Sequence, residues 1–221
     1  TGTPPASRNS STSLSRSNRL VSQLRDTVAN ADKEFILVSP YYVPRKAGVE
    51  GFRRLRERGV EVYVLTNSLA STDVKAVHSG YVSARKPLLE MGVNLYEVRA
   101  DATVKGTQRS RIFGSQSSLH TKAFLVDERW VFVGSFNFDP RSAYINTEMG
   151  ILVHSPEFGE AVATVMDRAM APDNAWRLRT DENGEMSWES ADGTLTSQPS
   201  QSFWRRFQNG IFSLLPVEQH L

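Results

Sequence analysis

The sequence has no cysteine among its 221 residues, so neither disulfides nor thiolate chemistry is open to it, though that alone assigns no compartment. It has no apolar run near the ~18 residues of a membrane-spanning helix, and no signal peptide is visible at its start. It has little net charge: 26 basic and 24 acidic residues leave +2, too even a balance to point by itself to nucleic acid. Its four histidines lack ligand spacing and no carboxylate cluster accompanies them, so the sequence offers no metal site and calls for no cofactor. What is present, 39% hydrophobic and 23% charged residues, is the composition of a globular chain, enough for one domain with a sizeable core or one domain plus tails. The chain starts at Thr1 rather than Met, which reads as a piece of a longer protein.

Residues 1–17, rich in Ser, Thr, Pro and Arg, read as a disordered arm or linker. Leu20, Val21, Leu24 and Val28 then recur at helical spacing behind Asn18. Phe35–Val38, Val60–Leu65 and Val93–Val98 read as strands. A basic amphipathic helix over Gly51–Arg58 and a longer one over Asp73–Met91 lie between them, each closed by a glycine. That alternation predicts βαβ units and a mainly parallel mixed sheet flanked by helices. Ligands sit beyond the carboxyl ends of such strands, which makes Ser39–Lys46 and Asn67–Thr72 walls of a site. Asp73 is a good helix cap, and Asn67 and Ser68 ahead of it are candidates to bind substrate. His78, alone in mid-helix, reads as a surface or core-edge residue. The stretch Ala100–Ser118 lacks periodicity and carries Lys105, Arg109 and Arg111, either as an anion-attracting wall of the site or as a mobile insertion.

The most informative stretch follows. Ala123–Val126 and Trp130–Val133 read as two strands joined by a turn at Asp127-Glu128-Arg129. On a strand His120 and Lys122 project together and Asp127 the opposite way. Ser135 and Asn137 share the two-residue spacing at the end of the second strand. An imidazole, an ammonium, a hydroxyl and an amide converging there suit a phosphate diester. Beyond it, Thr147–Val153 reads as a strand on which Glu148 and Gly150 face away from Met149, Ile151 and Val153. A helix over Pro156–Met170 and a hairpin around Asp181-Glu182-Asn183-Gly184 come next. The chain ends in a loose polar link and an apolar, arginine-containing segment, Phe203–Pro216. That segment suits either a membrane interface or docking on the core.

The spacing His120-x-Lys122-x4-Asp127-x6-Gly134-Ser135-x-Asn137 resembles the HKD signature of the phospholipase D superfamily. Glu148, within Asn146-Thr147-Glu148-Met149-Gly150, falls where that family places a further carboxylate. Asn67–Tyr81 and Ser39-Pro-Tyr-Tyr-Val-Pro44 are similar to the second half of bacterial cardiolipin synthase-like members, as is the apolar C-terminal end. The resemblance covers most of residues 18–221. It frames three segments: the arm at 1–17, a phospholipase D-like α/β catalytic domain at 18–192, and the link with its apolar end at 193–221.

The resemblance implies one active site built from two copies of the motif, within one chain or across a homodimer. Here there is one copy, because no second His-x-Lys occurs, so the other half is an expected partner. One motif histidine would attack phosphorus to give a phosphohistidine while the other protonates the leaving alcohol, the roles then reversing for water or an acceptor alcohol. By the family's pattern His120 is the general acid, and a homodimer would make the roles interchangeable. Lys122 and Asn137 would hold the non-bridging oxygens, with Ser135 a weaker candidate, Glu148 an orienting carboxylate, and Asp127 a structural or supporting one. The implied activity is phosphatidyl transfer on a phosphatidylglycerol-like phospholipid, at the bacterial inner membrane from either side. Two alternatives stand beside it: an endonuclease using the same residues, disfavoured by the even charge, and a non-catalytic membrane-binding half-domain.

Overall fold

Strand burial explains the layering before any helix is placed. The computed structural model describes residues 21–72, 75–100, 118–144 and 146–199. In β1 (Glu34–Val38), Phe35 and Leu37 enter one apolar cluster and Ile36 and Val38 another. A strand buried on both faces needs cover on both. On the first face lie α1 (21–29) with Leu24, α2 (Arg45–Glu57) with Phe52 and Leu55, and α3 (Lys75–Glu90) with Tyr81, Ala84 and Leu88. On the second lies α5 (Pro156–Met170), which contributes Ala163, Met166, Ala169 and Met170. A fourth, short helix, α4, spans Pro140–Tyr144. The N-terminus of α5 is capped by Ser155, whose hydroxyl accepts from the Phe158 N–H at 3.2 Å.

The remaining strands are β2 (Glu61–Asn67), β3 (Asn94–Val98), β4 (Ala123–Val126), β5 (Trp130–Gly134), β6 (Gly150–His154), β7 (Ala175–Thr180), β8 (Met186–Ser190) and β9 (Gly193–Leu195). Together they form a single sheet in the order β6-β5-β4-β1-β2-β3-β7-β8-β9. The α/β architecture is as expected, but the expected parallel majority is not. Only β1–β2 and β2–β3 are parallel, and the other six pairings among the described residues are antiparallel. The βαβ rhythm ends at β3. After it, the connections β4–β5 and β7–β8 are tight turns that reverse the chain, and such turns can only join antiparallel neighbours. The sheet also continues past residue 192, because β9 pairs with β8 where the sequence reads as a polar link. The N-terminal arm, the stretch 101–117 and the C-terminal apolar segment lie outside the described residues, as do Asp73 and the side chain of His78.

Two polar clusters brace the scaffold, one buried between a helix and the sheet and one at a strand turn nearer the surface. Arg85 on α3 and Glu97 on β3 form an ion pair at 2.7 Å, both at most 1% exposed. Trp188 Nε1 donates to the same carboxylate at 3.2 Å, and the Arg85 guanidinium lies 4.7 Å from the Tyr81 ring centroid. Burial pushes the Glu97 carboxyl up, and Arg85, Trp188 and Tyr81 pull it partly back.

The second cluster sits at the β4–β5 turn, where Asp127 and Glu128 both adopt left-handed backbone, φ 51° and 53°. Such a pair twists a hairpin correctly but strains residues with a Cβ. The Asp127 carboxylate offsets that strain by accepting the N–H groups of Asp32 at 3.1 Å, Lys33 at 2.7 Å and Glu34 at 3.1 Å, and by pairing with Arg129 at 3.2 Å. It thereby ties the turn to the entry of β1. Burial acts to raise its pKa, but these donors outweigh burial and hold the carboxyl below the usual aspartate range. A depressed folded-state pKa means the contribution is fully present above the unfolded value and is lost as pH falls through the folded one. Asp127→Ala should therefore lower unfolding stability by about 2 kcal/mol at neutral pH. In urea titrations the gap to the parent protein should close only below about pH 4.

Candidate active site

Because β4 runs opposite to β1 and β2, its amino end lies at their carboxyl ends. The carboxyl end of β5 and the approach to β6 reach the same edge. One rim of the sheet therefore collects Ser39, Asn67, His120, Lys122, Ser135, Asn137 and Glu148. By strand parity, Lys122 and His120 follow Phe124 onto the face covered by α2 and α3, and Asp127 follows Leu125 onto the other.

His120 is exposed, whereas Lys122, two residues on, is 9% exposed. The Lys122 ammonium donates to the His120 carbonyl at 2.7 Å and lies 6.0 Å from the Tyr41 ring centroid. Gly134 N–H donates to the Lys122 carbonyl at 3.1 Å, which extends the β4–β5 pairing toward the rim. The residue ahead of this group, Leu119, is 2% exposed and packs in the core on the α5 side. Its own N–H donates to Asn67 Oδ1 at 2.9 Å and its carbonyl accepts from Asn67 Nδ2 at 3.2 Å.

On the β5 side, Ser135 Oγ donates to Glu148 Oε2 and accepts from the Met149 N–H at 3.0 Å. Ser135 N–H donates to the Met149 carbonyl at 2.8 Å. The strand expected from Thr147 starts only at Gly150, so Glu148 is placed by this Ser135 contact rather than by strand alternation. Met149 and Ile151, expected on the apolar side, are 79% and 70% exposed, and Val133, paired with Ile151, is 47% exposed.

Asn137 is fixed through its backbone. Its N–H donates to Ser142 Oγ at 3.2 Å, and Ser142 belongs to α4, which Asp139 caps by accepting from the Arg141 and Ser142 N–H groups. Ser39 Oγ reaches the same loop, accepting from the Phe138 N–H at 3.0 Å while donating to the Tyr41 carbonyl at 2.8 Å. The Asn137 Oδ1 atom is buried with no hydrogen-bond partner among the described residues.

The structure thus brings His120, Lys122, Ser135, Asn137 and Glu148 to one rim, and separates three other candidates from that role. Asp127 sits at the far end of β4, on the order of 20 Å of extended chain from His120, and its carboxylate holds the β4–β5 turn. Asn67 and Ser68 were expected to meet substrate. They are 2% and 0% exposed, and their polar atoms bond within the protein. The capacity to cap a tight turn was legible in their residue types; the burial was not. Lys105, Arg109 and Arg111 lie outside the described residues. Asp139 and Ser142, which the sequence reading gave no site role, hold the Asn137 loop together with Ser39, the first residue of the expected wall Ser39–Lys46. The Asp139-Pro140-x-Ser142 spacing at a helix start was the available signal. Among the described residues no three or more imidazole or carboxylate groups gather as metal ligands, and no helix is long and apolar enough to cross a membrane.

Comparison with known proteins places this rim in a family. The family model described as "Cardiolipin synthase, PLD-like domain" matches residues 24–170, and the chain belongs to that phospholipase D-like family. It is 40% identical over 212 residues to cardiolipin synthase C of Escherichia coli, covering 92% of this chain and 44% of that protein. An uncharacterised protein of Helicobacter pylori is 34% identical over 198 residues, 86% of this chain and 38% of that one. The chain spans less than half the length of these relatives. Among solved structures, the phospholipase D family member Nuc of Salmonella typhimurium has the same fold at a TM-score of 0.55 and 15% identity, over 73% of this chain and 91% of that one. Phosphatidylserine synthase of Haemophilus influenzae matches at a TM-score of 0.55 and 14% identity, over 87% of this chain and 43% of that one.

Two glycines let the rim ends of β5 and β6 lie close to each other and to the Phe132 ring. Gly134 and Gly150 face each other across β5 and β6, with the Phe132 ring lying over them. A Cβ on Gly150 would come within 2.2 Å of Phe132 Cε2, and one on Gly134 within 2.4 Å of the Met149 carbonyl. Phe132 cannot yield easily, since it is 1% exposed and stacks on Phe124 at 5.2 Å between centroids. Gly150→Ala should cost about 1–3 kcal/mol in denaturant unfolding. Gly51→Ala on α2, where a Cβ meets nothing within 4 Å, should instead be neutral or stabilising by up to about 1 kcal/mol.

Proposed function

We propose that this domain supplies one histidine-bearing half of a phospholipase D-type phosphatidyltransferase that acts on phospholipid phosphodiesters in cardiolipin synthesis. The observation that carries this reading is the pairing of an exposed imidazole at His120 with a nearly buried ammonium at Lys122, two residues apart just ahead of β4. The 40% identity to cardiolipin synthase C favours lipid over other phosphodiesters.

In this reading the phosphodiester lies across the rim, with His120 on one side of phosphorus and a second histidine, from the partner half, on the other. One imidazole nitrogen attacks phosphorus while the opposite imidazolium gives its proton to the leaving alkoxide, forming a phosphohistidine and a free alcohol. The acceptor alcohol then attacks phosphorus, its proton passing to the now neutral imidazole, and the phosphohistidine bond breaks. His120 takes the general-acid role first.

Lys122 and Asn137 stabilise the non-bridging oxygens. One Lys122 N–H is committed to the His120 carbonyl, which tethers the ammonium to the backbone that carries the imidazole. Asn137 would hold the non-bridging oxygens through its Nδ2 donors, because its buried Oδ1 is an acceptor and can pair only with a donor such as a hydroxyl. Glu148, held by Ser135, orients the histidines. The domain works from the surface of the bacterial inner membrane.

The test offers phosphatidylglycerol vesicles and labelled DNA to the same preparation, with its oligomeric state read by light scattering. The expected result is lipid turnover by the assembly that carries two motif histidines, falling at least about 10³-fold in His120→Ala and sharply in Lys122→Ala. Cleavage of DNA with vesicles untouched would replace the lipid reading with a nuclease. Turnover undiminished in His120→Ala would end the proposal.

A further inference from the structure

The stretch that carries His120 has lost its neighbour strand. The last β1–β4 pair is Val38 with Ala123, because β1 leaves the sheet at Ser39 and Pro40. Residues 118–122 therefore run on toward the rim with no strand of the described residues beside them on the β1 side. A backbone so placed is free to wander unless something else meets its N–H and C=O groups.

The Asn67 side chain meets them. From the end of β2 it reaches across the gap, its Oδ1 accepting from Leu119 N–H at 2.9 Å and its Nδ2 donating to the Leu119 carbonyl at 3.2 Å. One planar amide thus pairs with both backbone groups of a single residue, as a neighbouring strand would. Nδ2 also donates to the Pro40 carbonyl at 3.4 Å, and Oδ1 accepts from Ser71 Oγ at 3.2 Å. The two donors and two acceptor sites of the amide are all engaged. Turning the amide over would set its oxygen against two carbonyls, so the orientation is dictated by chemistry. At 2% exposure and fully bonded, Asn67 has nothing left for a substrate.

Its consequence falls on the next residue. The carbonyl that Asn67 grips belongs to the peptide joining Leu119 to His120, and the His120 carbonyl is held in turn by Lys122. The backbone is thus fixed on both sides of an exposed imidazole. We infer that Asn67 is a positioning residue for His120, standing in for the missing strand and fixing the peptide from which the imidazole projects. This rests on His120 being catalytic, as proposed above.

Two variants and two readouts test it. Amide hydrogen exchange at Leu119, followed by NMR, reads the grip whatever the reaction. Asn67→Ala should accelerate it at least tenfold while Val64 in β2 stays protected. The isosteric Asn67→Asp keeps the acceptor for that N–H but loses both donors, so Leu119 should stay protected while its carbonyl is released. In the preparation that turns over vesicles, both variants should lower kcat about 10- to 100-fold with KM within twofold, the scale expected for small misplacement of a reacting group. A raised KM with kcat retained would make Asn67 a substrate ligand and overturn the inference. Unchanged exchange at Leu119 in Asn67→Ala would overturn it as well. If exchange responds as expected but His120→Ala still turns over, the grip stands and the catalytic reading, not the geometry, has failed.

Discussion

Everything polar at the rim depends on β4 pairing antiparallel with β1. Had the chain continued its βαβ rhythm, a fourth parallel strand would have put His120 and Lys122 at the opposite rim from the ends of β1 and β2. Reversal brings the start of one strand against the ends of two others, and β5 and β6 repeat the trick by hairpin pairing. The order of the sheet thus does what no local sequence feature could: it gathers groups from residues 39 to 148 along one edge. Side chains at strand ends escape the sheet's packing and still inherit its rigidity, which is what positioning a reacting group to within a fraction of an ångström requires.

The two ends of β4 are secured by different means, suited to what each carries. At the turn end, a carboxylate gathers three backbone amides from the entry to β1, a contact that fixes register and stabilises a left-handed turn. At the rim end, a neutral amide does the holding. A carboxylate there would face the Leu119 and Pro40 carbonyls, and would set a negative charge beside the strand that presents Lys122. The neutral amide supplies donors and acceptors without altering the field. Farther off, the Arg85–Glu97 pair and Trp188 lock α3 and β8 onto β3. That buried pair braces the scaffold, while the buried charge at the rim is the Lys122 ammonium beside His120.

What the sequence disclosed was what depends on neighbours in the chain. The β4–β5 hairpin and the α5 boundaries are short-range properties of alternation and capping, and the structure agrees with both. The sheet's direction was misjudged because a βαβ rhythm in the first half carries no information about hairpins in the second. Asn67 was assigned to substrate because its partner, Leu119, lies 52 residues away, and no spacing rule spans that distance. Glu148 was expected on a strand that begins two residues later, yet its aim toward the rim holds because Ser135 and Met149 exchange hydrogen bonds there. Asp127 illustrates the converse. Its place in the motif spacing drew it into the candidate set, whereas strand parity alone already put it on the other face.

The geometry of displacement at phosphorus bears on why one copy of this rim is half a site in the proposed reaction. Nucleophile and leaving group must lie roughly in line, on opposite sides of the phosphorus atom. An imidazole close enough to attack from one side cannot also reach the leaving oxygen on the other. A single His120 therefore serves as acid or as nucleophile in a given step, never both, and water is too weak an acid to protonate the leaving alkoxide at neutral pH as a matched imidazolium does. The exposure of the rim fits this division. His120 and Ser135 are open to solvent, and Val133 on β5, Ile151 on the edge strand β6 and Met149 just ahead of it present apolar surface to solvent. A site that completed its own chemistry would be expected to enclose the phosphohistidine and keep water from it. In the proposed reaction the described residues supply one imidazole, that of His120, and the second comes with the partner half.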